Sequence, residues 1–192
     1  MSEGISRRNV AIGLGAAAAG ALAPSAWAAG EGAYSEPEIV RAAEDFFGAG
    51  AEGVASIVRH VFEDQGRPNG YIQGQEGSGA IGVGLRYGRG DLHLQAHPGT
   101  TNVYWQGPSV GFDTGGNASK VFTLVYHMTN PNQIFRRFPG VDGSAYFVGG
   151  VGVNYQRAEN IVLAPMRAGV GFRLGANIGY LAYSRRRRIN PF

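Results

Sequence analysis

Four short stretches carry residue types whose spacing could do chemistry. Gly107-Pro108-Ser109-Val110-Gly111 has the spacing of a nucleophile elbow, which throws a serine up at a sharp turn between a strand and a helix. Phe112-Asp113-Thr114-Gly115-Gly116 follows; it cannot start a long helix, and no acid and histidine come after it in an evident triad role. Asp113-Thr114-Gly115 matches the aspartic-protease triplet. That chemistry needs two carboxylates sharing one proton, so a single-lobed chain would have to dimerise. The triplet reads better as a turn, because Asp and Gly favour turns. Gly77-Ser78-Gly79-Ala80-Ile81-Gly82 fits a dinucleotide fingerprint by letter, but a strand pattern follows where a helix must hold the pyrophosphate. Asp91, His93, Gln95 and His97 alternate at period two, and two histidines with a carboxylate could hold zinc. Pro98-Gly99 puts His97 at a turn, however, and polar residues on a strand face are ordinarily just solvated. The residues therefore point away from an enzyme, with a hydrolase using Asp113 or Ser109 as the alternative. They call for no metal and no cofactor.

A binding role has more to work with. Tyr104-Trp105 and Phe112 flank Gly107-Pro108. An aromatic cluster beside a Gly-rich segment can line a pocket or a sugar-binding face, and core packing is the competing reading. Arg86, Tyr104, Trp105, Phe112 and Asp113 form the candidate binding set. Arg185–Arg188 is the one charge run. It is either a solvated tail or a contact for anionic lipid, lipopolysaccharide phosphate or cell wall.

Composition bounds these options. The chain has 192 residues and 44% apolar content, enough for one domain with a real core. It has 32 glycines, mostly inside apolar stretches, which points to many strands and turns. There is no cysteine, so disulfides, thiol nucleophiles and thiolate metal sites are excluded. A net charge of +3 is too mild to demand nucleic acid.

Residues 1–28 read as an export signal. Arg7 and Arg8 form the charged start, Val10 to Ala23 the apolar run, and Ala26-Trp27-Ala28 a small-x-small cleavage site. The cut falls between Ala28 and Ala29. The apolar run is short for a membrane span, which needs about 20 residues, so no stable span is expected in the mature protein. Ser6-Arg7-Arg8-Asn9-Val10 leaves both the twin-arginine and the Sec route open. The expected location is the periplasm of a Gram-negative bacterium.

The elements that must position any site follow. Residues 29–66 form a leader and a helical segment, and 67–192 a β domain; together they fold as one unit. Ser35-Glu36-Pro37-Glu38 opens a helix with a capping box. Gly48-Ala49-Gly50 interrupts it, and a second helix runs over 52–64 with Val54, Ile57, Val58, Val61 and Phe62 on one side. Strands are expected at 71–75, 80–87, 91–95, 103–106, 110–112, 121–127, 145–155, 161–166 and 169–183, with a hairpin loop at Gly88-Arg89-Gly90 and a short helix at 133–138. In the last run Val170, Phe172 and Leu174 alternate with Gly171, Arg173 and Gly175. Ile81, Val83 and Leu85 alternate likewise with Gly82, Gly84 and Arg86. A glycine face lets another backbone or a ligand come close, or lets a sheet turn a barrel corner. The fold class read from this is mainly β with N-terminal helices, a small soluble antiparallel β-barrel or strongly curved sheet. An outer-membrane barrel is the further alternative, set against short strands and the arginines before Pro191.

Several ordered stretches resemble one family. They include Gly66-Arg67-Pro68-Asn69-Gly70-Tyr71, Gly74-Gln75-Glu76-Gly77-Ser78-Gly79-Ala80, Val103-Tyr104-Trp105-Gln106-Gly107-Pro108-Ser109, Val141-Asp142-Gly143-Ser144-Ala145-Tyr146-Phe147, Gly175-Ala176-Asn177-Ile178-Gly179-Tyr180-Leu181 and Asn190-Pro191-Phe192. The chain resembles the envelope integrity protein A family of alphaproteobacteria from about Glu38 to Phe192. The resemblance implies a periplasmic β-barrel that maintains the cell envelope and carries no known catalytic residues. It implies an envelope partner: a lipid, lipopolysaccharide, peptidoglycan or periplasmic protein. Arg185–Arg188 looks heavier than the family pattern. N-terminal sequencing of the exported protein is expected to begin at Ala29; a chain retaining Met1 would remove the cleaved-signal reading.

Overall fold

The fold is that of a computed structural model, which describes residues 32–48, 53–113, 119–168 and 179–188, with backbone alone at 78–84 and 109–113. The signal at 1–28 with its Ala28/Ala29 cut, the Gly169–Ile178 alternation, Thr114 to Gly116 and the terminal Asn190-Pro191-Phe192 lie outside the described residues.

Two helices come first. Helix α1 spans Glu36–Phe47 and α2 spans Val54–Gln65. The capping box forms as the sequence indicates, with the Ser35 amide donating to Glu38 Oε2 at 2.7 Å. Lys120 donates to the Phe46 and Phe47 carbonyls at 2.8 and 3.2 Å. A cation thus satisfies acceptors left open at the helix end.

Among the described residues nine strands form one antiparallel sheet. They are β1 Gly70–Leu94, β2 His97–Asp113, β3 Ser119–Tyr126, β4 Arg137–Pro139, β5 Tyr146–Val148, β6 Val151–Val153, β7 Gln156–Ala158, β8 Ile161–Ala168 and β9 Tyr180–Ser184. The order is β4-β9-β2-β1-β3-β8-β6-β5, with β7 also on β8. The sheet curls until its β4 edge reaches β7. A bridge joins Gly140 to Gln156, and the Val141 amide donates to the Tyr155 carbonyl at 2.9 Å.

Strands β3 and β8 therefore have an inside and an outside, and both are apolar. Phe122, Leu124, Tyr126, Val162, Ala164 and Met166 pack outward against Ile39, Ala43, Val54, Ile57, Val58 and Val61 of the helices. Val121, Val125, Ile161 and Leu163 point inward, to Ile72, Leu92, Val103, Trp105, Phe138, Leu181 and Tyr183. Period-two alternation serves two cores at once, so these strands read as continuous apolar runs.

The long strand β1 departs from expectation. Three strands and a hairpin loop at Gly88-Arg89-Gly90 were indicated, yet one strand runs through all of them, and the hairpin turns at Gln95-Ala96. Residues 103–106 and 110–112 likewise belong to one strand, β2. The glycines that looked like turn formers instead provide room. A Cβ on Gly90 would stand 2.8 Å from the Gly74 Cα, and one on Gly70 would stand 2.8 Å from the His93 carbonyl oxygen. The two ends of β1 cross at backbone contact, and the Gln95 amide donates to the Asn69 carbonyl at 3.1 Å. The expected strand at 145–155 is split by a turn at Gly149-Gly150, both at positive φ. The expected helix at 133–138 is a 3-10 turn at Pro131–Ile134 capped by Asn130.

A Cβ at Gly88 would lie inside the indole of Trp105, its partner across the β1–β2 pair. Gly88→Ala is therefore expected to lower stability by about 1–3 kcal/mol through overpacking, read from urea unfolding. An unchanged midpoint would show that Trp105 can leave this position at no cost.

Candidate functional site

Among the described residues, the interior holds one charged constellation. Glu76, on the first half of β1, is 6% exposed. It faces inward with Ile72, two pairs of positions along the same strand. Arg167 extends from β8 on the face that also carries Ile161 and Leu163, and is 7% exposed. Its Nε donates to Glu76 Oε1 at 3.1 Å and its Nη2 to Oε2 at 3.3 Å, a bidentate pair. Its Nη1 donates to Asn154 Oδ1 at 3.1 Å. Trp105 Nε1 donates to Glu76 Oε2 at 2.7 Å. Arg86, on the second half of β1, brings its Nη1 to 3.7 Å from Oε1.

Glycine sets the path of the indole. Trp105 lies over Gly88 and reaches Gly74, whose Cβ would stand 2.5 Å from the far edge of the ring. Tyr183, paired with Trp105 across β2 and β9, packs at 5.8 Å between ring centroids, and Phe138 meets Tyr183 edge-on at 5.6 Å. The carboxylate is thus enclosed by rings and guanidinium groups.

Burial pushes the Glu76 carboxyl up, but the charges of Arg167 and Arg86 and the hydrogen bonds from Arg167 and Trp105 outweigh it. The group is held below its ordinary value and stays ionised. Burial likewise pushes the Tyr183 hydroxyl up, with Glu76 adding to the rise and the two arginines opposing it. Both groups are locked in one protonation state at neutral pH. The arrangement holds strands together and has no poised acid or base.

The candidate residues separate accordingly. Arg86 and Trp105 are brought together on Glu76. Trp105 is 3% exposed, enclosed among core side chains. Tyr104 lies on the opposite face of β2, half-buried, opposite Arg89 and Ser184. Phe112 and Asp113 sit at the end of β2, paired with Ile81 and Ala80; their side chains lie outside the described residues. Ser109 is in mid-strand opposite Gly84, where no sharp turn presents it as an elbow would. Of the period-two set, Asp91 accepts from Asn102, His93 stacks on Tyr71 at 4.7 Å, and His97 bonds to the Thr129 carbonyl at 2.9 Å. Among the described residues no group of three or more His, Asp or Glu could hold a metal ion. Glu76 and Arg167 were not singled out by sequence reasoning. The one available signal was a carboxylate between glycines on an inward register and an arginine in the apolar run of β8.

The model of envelope integrity protein A matches residues 32–192. The chain belongs to the envelope integrity protein A family. A crystal structure of a beta-barrel-like, uncharacterized protein from Brucella abortus is similar, at 47% identity and a TM-score of 0.76. The match covers 84% of this chain and 99% of that one. No curated protein matches. Membership of the envelope integrity protein A family and the likeness to a β-barrel-like structure agree with the curled sheet. Among the described residues no helix is long and apolar enough to cross a membrane.

Arg167→Met would leave the Glu76 charge buried with less compensation and is expected to cost about 3–5 kcal/mol. Trp105→Phe would remove one donor, at about 1–3 kcal/mol. Both are read by urea unfolding at neutral pH. A carboxyl held below its ordinary 4.5 stabilises the fold above that pH, and this stabilisation is lost as pH falls from there through the folded value. Glu76→Gln should therefore weaken the fold at neutral pH and flatten its loss of stability in acid. Equal acid slopes for the variant and the parent would remove Glu76 from that account.

Proposed function

We propose that this is an exported periplasmic protein that maintains the cell envelope by binding one of its components, without catalysing a reaction. The family match over 32–192 carries this reading. The leader at residues 1–28 delivers the chain across the inner membrane and is removed before Ala29. The bound component is a lipid, lipopolysaccharide, peptidoglycan or a periplasmic protein, and no cofactor takes part.

Two features of the fold support a binding role over hydrolysis or membrane insertion. The enclosed ionic cluster has both titratable groups held in one state, and Ser109 lies within a paired strand. The outer face of β3 and β8 is covered by helices α1 and α2 rather than offered to lipid.

Growth of a deletion strain on plates with detergent or a chelator tests the reading. Sensitivity that a plasmid copy reverses is the expected result, and Ser109→Ala and Asp113→Asn copies should rescue equally well. Normal growth of the deletion strain would sink envelope maintenance, and failure of either variant to rescue despite normal folding would return the hydrolase.

A further inference from the structure

The closing edge of the barrel concentrates exposed arginines. β4 pairs with β9 through Arg137↔Ala182, Phe138↔Leu181 and Pro139↔Tyr180. Phe138 and Leu181 point inward to the core, so Arg137 points out and is exposed. Past the end of β9, Arg185–Arg188 are all exposed. The bridge Gly140↔Gln156 sets β7 beside β4, and the exposed Arg157 of β7 joins the same outer surface. The acid whose contact with this face is shown is Glu159, 2.8 Å from Arg136.

The arginine run is anchored to the barrel rather than trailing from it. Arg185 donates to Asn132 Oδ1 at 2.5 Å, and its guanidinium lies 4.4 Å from the centroid of Phe135. Arg137 lies over Tyr180 at 4.8 Å. Ser184 Oγ donates to the Arg186 carbonyl at 2.8 Å. Guanidinium groups laid on half-buried rings give a surface with cationic and aromatic character side by side. That pairing suits the boundary between charged headgroups and acyl chains, where aromatic rings and basic side chains both concentrate. A soluble polyanion would use the charge alone. The helices cover β3 and β8, three and four strands from β9 in the sheet order, and α2 reaches only as far as Tyr155, whose hydroxyl donates to Asp64; Arg137, Arg157 and Arg185–Arg188 stay exposed beyond that contact.

We propose that this arginine face docks the protein on the phosphate-bearing headgroups of an anionic membrane surface. The inference rests on the envelope-binding reading above and names its partner. The docking is peripheral and electrostatic, with Arg137, Arg157 and Arg185–Arg188 meeting phosphate and the rings of Phe135 and Tyr180 at the boundary.

The test is cosedimentation of the protein, as isolated from cells, with vesicles of phosphatidylglycerol and phosphatidylethanolamine and with vesicles of phosphatidylcholine. Binding to the anionic vesicles alone, reversed by high salt, is expected. A variant with Arg186→Gln, Arg187→Gln and Arg188→Gln spares the Arg185 anchor and should bind at least about tenfold more weakly, with an unchanged circular dichroism spectrum. A second variant, Arg137→Gln, gives the same reading from another strand. Equal binding to both vesicle types would overturn the proposal, as would binding that neither variant weakens. Retention of soluble polyphosphate with no vesicle binding would overturn it too. A deletion strain that grows normally, beside a protein that still binds vesicles through these arginines, would sink envelope maintenance and leave the docking. A protein that rescues the deletion strain but ignores anionic vesicles would overturn the docking alone.

Discussion

The buried carboxylate of Glu76 is the constraint on which the barrel depends. An isolated charge in an apolar interior is costly, so it must be matched by donors from several directions. Here Arg167 comes from β8, Trp105 from β2 and Arg86 from the far half of β1. Arg167 also holds Asn154, beyond the end of β6. One anion thus ties together strands distant in sequence and fixes how tightly the sheet must curl. The ring stack of Trp105, Tyr183 and Phe138 continues this ordering through β9 to β4.

Glycine makes the convergence possible. Trp105 can lie flat across β1 because Gly88 and Gly74 have no Cβ, and the two ends of β1 can cross because Gly74 and Gly90 meet backbone to backbone. Gly88 and Gly90 continue the alternation of Gly82 and Gly84 along β1, and there the missing Cβ lets a ring and another stretch of backbone come close. A strand that bends this sharply gives up side-chain packing, and the indole fills the space so released.

The same geometry divides the surface of the molecule from its interior. One side of the curled sheet is sealed by α1 and α2 over β3 and β8. The interior is closed by apolar side chains around the ionic cluster. Among the described residues, the outer surface of the seam where β4 and β9 approach β7 carries the exposed arginines. In this member of the envelope integrity protein A family the enclosed ion pairs lie inside the curled sheet, and exposed arginines stand on its outer surface.

Local chemistry was enough to read the helices, because Ser35 and Glu38 cap within one turn and the spacing of Ile57, Val58 and Val61 needs no distant partner. The antiparallel β class was legible for the same reason, since alternation is a property of neighbouring residues. The extent of β1 was not: Gly88-Arg89-Gly90 has the composition of a turn, and only contact with Trp105 and Gln73, distant along the chain, reveals a strand. Trp105 and Arg86 were legible as special residues but not as partners, and Glu76 and Arg167 were marked only by standing as charges in Gly-rich and apolar runs. An ion pair joining residues 91 positions apart leaves no spacing signature in the chain. The tertiary fold alone decides which charges meet, because only closure of the sheet removes water from between them.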